Sequence, residues 1–480
     1  MGSEFGDLAI ATALVIIHSI GLVAAAHAAL RSRTSQGAIA WAVSLTFMPY
    51  LTLIPYLIFG RSEFVGYVDA RRTRNRQLHR LTQHIDLTET ISAPDGEVGA
   101  PQFSATPTLT RLTHLPLTPG NDARLLVNGK ETFAAILALI PEAKHYVVVQ
   151  FFIVHDDDIG NRLKDALLDK AAEGVPVYFL YDGIGSHDLP ARYPEQLKAG
   201  GVHVREFRTQ RGVVNRFQLN FRNHRKIVIV DGERLFLGGH NVGDEYLGYK
   251  PPLSPWRDTH VEIAGPAVAA AQLMFVEDWY WAAKSVPKLR WEPAHHERNM
   301  YCQIIPSGPA DEQDTCSLFF VEAINTARTR VWIASPYLVP DEAVFTALKL
   351  AVLRGVDVRL LLPSRPDHYI VFQASSFYAY EAVRAGMHVY RYQPGFMHQK
   401  VVLIDDEAAA VGSANLDNRS FRLNFEIMAL LVDSEFCSST EAMLLEDFKK
   451  SKPVQRAEYE RASLWRRLLM RVARLFAPIL

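Results

Sequence analysis

Three blocks in this chain of 480 residues return later in the same order, and that duplication restricts the fold more than any other feature. Residues 145–154 (HYVVVQFFIV) are echoed by 331–339 (VWIASPYLV), GVPVYFLY at 174–181 by GVDVRLLL at 355–362, and GGVHV at 200–204 by AGMHV at 385–389. Short apolar runs alternate with amphipathic stretches such as 161–172, a β-α-β texture. The repeat is far longer than the roughly 20–50 residues of a solenoid unit. The predicted fold class is therefore α/β: two duplicated α/β domains forming a pseudo-dimer, each with a mostly parallel central sheet flanked by helices.

The duplication also carries the chemistry. His224, Lys226 and Asp231 have the spacing H-x-K-x4-D, and His398, Lys400 and Asp405 repeat it 174 positions later (398 − 224). In both copies a Gly follows the His by 14 positions. Gly238 (238 − 224) opens Gly-Gly-His-Asn241, and Gly412 (412 − 398) opens Gly-Ser413-Ala-Asn415. With each fixed residue near 5% in frequency, one accidental copy is on the order of one in ten thousand for a chain of this length.

In extended backbone, His and Lys two apart project from one face, so both reach one phosphate. The apolar run after each Lys enters the core. Asp231 and Asp405 stand at turns, either as catalytic members of the motif or as turn-stabilising carboxylates. Gly238 and Gly412 let the backbone approach closely, while the Asn241 and Asn415 amides and the Ser413 hydroxyl offer donors to phosphate oxygens. If the two strands meet at one site, one imidazole attacks phosphorus and the other protonates the departing alkoxide. Two lysines and two asparagines supply positive potential there, so neither a metal nor another cofactor is expected.

Ahead of these domains, residues 1–5 (MGSEF) read as an expression-vector scar. Residues 8–30 and 37–59 are apolar stretches of 23 each, about 34 Å of helix against a hydrocarbon core of about 30 Å. A cleaved signal peptide is disfavoured, because the first run is long, lacks a basic leader and is closely followed by a second. Residues 6–60 thus read as a transmembrane helical hairpin, with Pro49 and Pro55 kinking its second limb or the hairpin lying partly within one leaflet. His18 and His27 fit a neutral helix interface. Arg61, Arg71, Arg72, Arg74, Arg76 and Arg80 follow the second limb and outnumber Arg31 and Arg33 in the turn, which places the catalytic body on the cytoplasmic side.

Residues 61–120, basic and then Ser/Thr/Pro-rich, read as a linker along the membrane surface. The two catalytic domains are assigned to 121–295 and 296–455, and a basic amphipathic helix to 456–480. In that helix Leu464, Trp465, Leu468, Leu469, Val472, Leu475, Phe476 and Ile479 share one face, with Arg466, Arg467, Arg471 and Arg474 opposite. The pattern fits a helix in the membrane plane or one docked on the protein body. Before His224, the first domain holds extra length with Arg205, Arg208, Arg211, Arg216 and Arg222 among Val213, Val214, Phe217 and Phe221. This mixture suits anionic head groups and acyl chains, or a solvated loop. With 51 Lys+Arg against 52 Asp+Glu, a basic nucleic-acid coat is disfavoured. Cys302, Cys316 and Cys437 form no C-x-x-C pair and fit a reducing compartment.

The paired motifs closely resemble the phospholipase D superfamily over nearly the whole chain. The resemblance implies a phosphohistidine formed on one motif's His, with the other His as acid and later base. By analogy His224 is the nucleophile and His398 the acid, although the residues themselves leave that symmetry unbroken. The family also places an acidic residue behind each His; Asp258 (in WRDTHVEIAGPAV) and Glu426 (in RSFRLNFE) match, with the pairing left open. Gly239 departs from the family pattern, in which Ser is common, whereas Ser413 keeps it. The two apolar stretches, PYLIFGR, NVGDEYLG and GSANLDNRSFRLNFE look like bacterial cardiolipin synthases.

That family joins two phosphatidylglycerol molecules into cardiolipin and glycerol. The resemblance implies phospholipid and membrane as partners, no nucleic acid, a possible homodimer, and residence in the bacterial inner membrane as a multi-pass protein. Phospholipase D hydrolysis, transfer to another alcohol, and a membrane-anchored phosphodiesterase or nuclease are the alternatives.

Overall fold

The computed structural model describes residues 2–32, 34–60, 67, 103–209, 220–291 and 295–479. It comprises two compact units, residues 1–69 with 209–221, and residues 70–208 with 222–480. Arg61, Arg71, Arg72, Arg74, Arg76 and Arg80, and Arg211, Val213, Val214, Arg216 and Phe217 of the extra length before His224, lie outside the described residues.

In the first unit a helix runs over Gly2–Arg31, and its residues 6–31 are long and apolar enough to cross a bilayer. The second apolar stretch corrects the expectation of a single helix: it forms Ser35–Phe47 and Pro49–Phe59, broken at Met48 (φ −137°, ψ 51°). Proline is tolerated in a helix's first turn but has no N–H to continue the preceding one. The Thr52 hydroxyl donates to the Ser44 carbonyl (3.1 Å) and the Met48 carbonyl (2.9 Å), partly repairing the interruption. At the bend only glycine fits opposite: a Cβ on Gly21 would lie 2.6 Å from both the Leu45 oxygen and the Pro49 Cβ. His27 Nδ1 is 2.6 Å from the Tyr56 hydroxyl, the interface role expected of it.

Among the described residues the second unit holds twenty strands. In the first half they are β1 (Thr118–Val127), β2 (Val147–Phe151), β3 (Val177–Asp182), β4 (His203–Phe207), β5 (Arg222–Asn223), β6 (Ile227–Val230), β7 (Arg234–Gly238), β8 (Trp256–Arg257) and β9 (Thr259–Ala264). The second half holds β10 (Met300–Ser307), β11 (Arg330–Ala334), β12 (Leu338–Val339), β13 (Asp357–Pro363), β14 (His388–Tyr392), β15 (Phe396–Met397), β16 (Val401–Ile404), β17 (Ala408–Gly412), β18 (Leu416–Asp417), β19 (Asn424–Val432) and β20 (Ser451–Pro453).

One sheet runs through both halves. From the outer edge inward the first half reads β4-β3-β2-β6-β7-β9-β1, and the second reads β14-β13-β11-β16-β17-β19-β10, with β20 added outside β14. The halves meet at β1 and β10, antiparallel, with Thr118 opposite Cys302 and Asn121 opposite Met300. The duplication thus appears strand for strand. The expectation of a mostly parallel sheet needs correction. Along its main path only β2-β3-β4 and β11-β13-β14 run parallel, with β5 pairing β19 in parallel beside it; β6, β7, β9 and β1 and their counterparts are antiparallel. Parallel neighbours need a crossover, supplied here by helices such as Asp158–Ala172, whereas Asp231-Gly232 turns β6 directly into β7.

Each half has its own core. Phe133, Val149, Phe179 and Val228 are buried in the first, and Phe319, Ile333, Leu360 and Val402 in the second. The expected linker over 61–120 ends early. Thr106–Thr113 is a helix, and Phe103, Ala105, Leu109 and Leu117 are buried in the second half's core. Those few apolar residues are spaced among threonines and prolines, which hid the segment in a linker-like composition.

Candidate active site

His224 and Lys226 lie in the short extended segment between β5 and β6, and His398 and Lys400 between β15 and β16. Each segment is stitched to the opposite half. β5 pairs with β19 and the His224 N–H donates to the Phe425 carbonyl (2.9 Å), while β15 pairs with β8 and the His398 N–H donates to the Arg257 carbonyl (2.8 Å). The side chains then cross as well. His224 Nδ1 is 2.9 Å from Glu426 Oε2, and His398 Nδ1 is 2.7 Å from Asp258 Oδ2. The carboxylate behind each imidazole therefore comes from the other half.

This arrangement fixes the tautomer. A carboxylate accepts a proton from Nδ1, so the nitrogen left for chemistry on each ring is Nε2. Glu426 is itself held by the Ser413 hydroxyl (2.6 Å), the Ser420 hydroxyl (2.9 Å) and the Asn424 amide (3.1 Å). Asp258 accepts the Thr259 N–H on its other oxygen (2.8 Å). Behind the site Arg225 joins the halves: its guanidinium pairs with Asp278 at 3.0 Å, fully out of water, and donates to the Glu426 and Ser307 carbonyls.

The electrostatics follow from burial. Removal from water pushes His224 down to about 4, against the pull of Glu426, and lowers His398 and Lys226 as well. The same penalty brings Lys400 down to about 8. Lys400 acts on His224, and Lys226 on His398, so the four groups share one field. Burial opposes ionisation of Asp258, but His240, His398 and Lys400 outweigh it and keep its carboxyl below the usual range; His224 and Lys226 do the same for Glu426. Both Lys ammonium groups donate to the carbonyl of the His two residues before them.

Several expected site residues take other places. Asp231 accepts the backbone N–H groups of Lys144, His145 and Tyr146 (2.8, 2.7 and 2.9 Å), and Asp405 those of Arg328, Thr329 and Arg330 (2.9, 2.8 and 2.9 Å). Both stand at positive φ (56° and 50°) in the turn after the strand, seven residues or about 23 Å along from the His. Their inclusion among the catalytic residues is corrected: they hold the turn. Gly238 and Gly412 are corrected too. A Cβ on Gly238 would strike the His260 ring, and one on Gly412 the Ile427 oxygen and Met428 sulfur, so the close approach is between strands and not to substrate. The Asn241 amide donates to the Tyr246 hydroxyl and that of Asn415 to Asp417, both at 3.3 Å, which uses one of the two N–H donors each amide carries.

Gly239 now has a physical reason. A Cβ there would lie 2.1 Å from Asp258 Oδ1, whereas at the matching position the Ser413 hydroxyl donates to Glu426, which corrects the expectation that it serves a phosphate oxygen. Gly239→Ser is expected to push Asp258 off His398 and lower kcat at least tenfold, while Ser413→Gly, which removes one of several donors, costs less. Steady-state kinetics of the two variants checks the order.

Sequence reasoning missed the groups around the rings. Phe152 meets the His224 ring edge-on with centroids 5.0 Å apart, and Trp256 and Phe396 lie 5.1 and 6.0 Å from His398, so both imidazoles have aromatic walls. His240 and His260, fully buried, put their Nδ1 atoms 3.0 Å apart; Ala414 and Met428 occupy the matching positions in the other half. The only signal for them was a histidine facing an alanine and a methionine when the two motif copies are aligned.

Comparison with known proteins gives the family. Residues 136–270 and 320–448 match the family model described as cardiolipin synthase, PLD-like domain, and residues 10–61 match one described as phospholipase D-nuclease N-terminal. The chain is 56% identical to cardiolipin synthase A of Pseudomonas fluorescens over 476 residues, covering 99% of both chains. It is 57% identical to cardiolipin synthase A of Pseudomonas aeruginosa over 467 residues, covering 97% of this chain and 95% of that one. Among solved structures, the phosphatidylserine synthase of Haemophilus influenzae Rd KW20 superposes with a TM-score of 0.59 at 14% identity, over 78% of this chain and all of that one, a likeness of fold. The chain therefore belongs to the bacterial cardiolipin synthase family of the phospholipase D superfamily.

Proposed function

We propose that this chain is a membrane-bound cardiolipin synthase that moves a phosphatidyl group between two phosphatidylglycerol molecules through a histidine. The observation that carries the reading is the crossed pair of imidazole–carboxylate contacts, which ties both motif copies into one site. His224 Nε2 attacks phosphorus of the first lipid, the bond to the head-group glycerol breaks, and His398 gives that oxygen its proton. Glycerol leaves and the phosphatidyl group stays on His224. His398, now neutral, takes the proton from a head-group hydroxyl of the second lipid; that oxygen attacks phosphorus, the N–P bond breaks, and cardiolipin departs. One phosphodiester replaces another, so the exchange needs no nucleotide.

The division of labour between the rings rests on their carboxylates. Glu426 spreads its charge over two hydroxyls and an amide, which weakens its hold on a proton at His224 and favours a neutral nucleophile. Asp258, with the Thr259 N–H as its backbone donor, retains more charge for His398. An incoming phosphodiester anion offsets the burial penalty and lets one imidazole carry the proton. Lys226 and Lys400, with the Asn241 and Asn415 amides nearby, face the phosphoryl oxygens.

Purified enzyme given phosphatidylglycerol in liposomes is expected to yield cardiolipin and glycerol in equal amounts by mass spectrometry. Phosphatidic acid as the main product would make it a hydrolase, and oligonucleotide cleavage without lipid turnover a nuclease. The pH dependence follows from Lys400. Its cation persists only below about pH 8, so kcat/KM is expected to fall as pH rises through that value. Lys400→Arg keeps its charge at every such pH, so the limb of its residual activity should change from that of the parent enzyme and be left to Lys226, which burial also lowers.

For placement in the membrane we infer a two-limbed N-terminal anchor with the catalytic body on the cytoplasmic side of the inner membrane. The six-to-two arginine bias supports it. Protease added outside sealed spheroplasts should leave the body intact. A homodimer is part of the same proposal and is read out by crosslinking in membranes.

A further inference from the structure

The C-terminal helix Leu464–Leu475 has two different apolar surfaces. Met470, Ala473 and the following Ala477 are buried, packed on the helix Tyr369–Arg384 through Ala374, Phe377 and Tyr380. The larger side chains face away: Leu464, Trp465, Leu468 and Leu475 are 83, 75, 50 and 73% exposed. Docking on the body therefore uses the small residues and leaves the large ones unpartnered. Tyr369 and Ile370, in the first turn of the neighbouring helix beside Val371, are also more than half exposed. Around the helix Arg466, Arg467, Arg471 and Arg474 supply four positive charges.

At the foot of this helix lies a cleft of about 230 Å³ lined by Arg391, Arg466, Lys452, Ser376, Gln393 and others, with Glu458 as its carboxylate. Arg391 donates to the Pro363 carbonyl (2.8 Å) and the Ser376 hydroxyl (3.1 Å) and stacks on Phe372; Glu458 of the cleft supports its charge and Arg466 opposes it. Burial pushes its guanidinium down to about 10, a penalty that a bound anion would relieve. Three cationic heads thus line one cleft beside an exposed apolar ridge, with the second N–H of the Gln393 amide; the Ser376 hydroxyl is spent on the Phe372 carbonyl (2.8 Å).

We propose that the ridge and cleft form a second membrane-contact site selective for anionic phospholipid, the ridge entering the acyl boundary and the cleft taking one lipid phosphate. The proposal deepens the membrane association of the proposed function and concerns a place other than the histidine site. Apolar residues flanked by arginines match the layering of an anionic leaflet, acyl chains beneath phosphates.

The test uses the full chain in vesicles and reads no turnover, so its failure is separable from failure of the synthase reading. Cys302, Cys316 and Cys437 are buried, so a single environment-sensitive fluorophore can be placed at Leu468→Cys. In phosphatidylcholine vesicles containing phosphatidylglycerol, lipids carrying a spin-label quencher in the acyl chain are expected to quench it at least threefold more than in phosphatidylcholine alone. Arg471→Glu should abolish that difference. Lys452→Gln, at an exposed cleft position, should reduce it about twofold or more, and Arg391→Gln further. Inorganic phosphate added to phosphatidylcholine vesicles should not substitute for the anionic lipid. Water exposure of the fluorophore in both vesicles would overturn the proposal, as would shielding without lipid quenching, the signature of a second copy on the ridge. Cleft variants with unchanged quenching, or phosphate acting as well as lipid, would overturn the phosphate assignment.

Discussion

Replacing either motif histidine is expected to lower turnover by about four to six orders of magnitude, and the two losses should differ in kind. His224→Ala removes the atom proposed to bond phosphorus, so no covalent enzyme is expected from any substrate. His398→Ala removes only the proton donor. With a leaving group that departs unprotonated, such as a p-nitrophenolate ester of the phosphatidyl group, phosphorylated enzyme should still appear and then persist, because the base for the second step is missing. Acid-quench labelling followed by peptide mapping checks this. Label on His398 in the His224→Ala variant would reverse the roles assigned from the unequal support of Glu426 and Asp258.

The second large effect concerns those carboxylates. Asp258→Asn and Glu426→Gln keep size and shape but replace an acceptor by an amide that can present its N–H to Nδ1 and turn the ring to the wrong tautomer. A drop in kcat of about 10² to 10⁴ is expected for each, with KM changed only a few-fold. Because the pairs cross, each substitution disables the histidine of the opposite half. Combining Asp258→Asn with His398→Ala should therefore cost little beyond His398→Ala alone, whereas an additive loss would contradict the pairing.

The contrast between what the chain revealed and what it hid has physical causes. The duplicated blocks and the H-x-K spacing were legible because strand periodicity and identical intervals are local properties of the sequence. Strands 147–151 and 177–182 and the helix 158–172 fall where apolar alternation put them. The crossing of Asp258 to His398 and Glu426 to His224 was not legible, since it depends on how β5 and β15 pair across the halves, at separations of 140 and 202 residues. Asp231 and Asp405 stood between two roles in the sequence because a motif residue that closes a turn recurs as regularly as one that meets substrate. Gly239 could be noticed in the sequence but explained only by the position of the Asp258 oxygen. Pro49 announced a bend in the second apolar stretch, yet the break at Met48 and its repair by Thr52 are properties of the folded helix pair.

A structure of the enzyme with orthovanadate bound would weigh most heavily. The account predicts one trigonal-bipyramidal vanadate per chain, with His224 Nε2 bonded at one apex, His398 Nε2 within hydrogen-bond distance of the opposite apical oxygen, and Lys226 and Lys400 beside the equatorial oxygens. Two vanadates, each held by a single histidine in its own half, would contradict it.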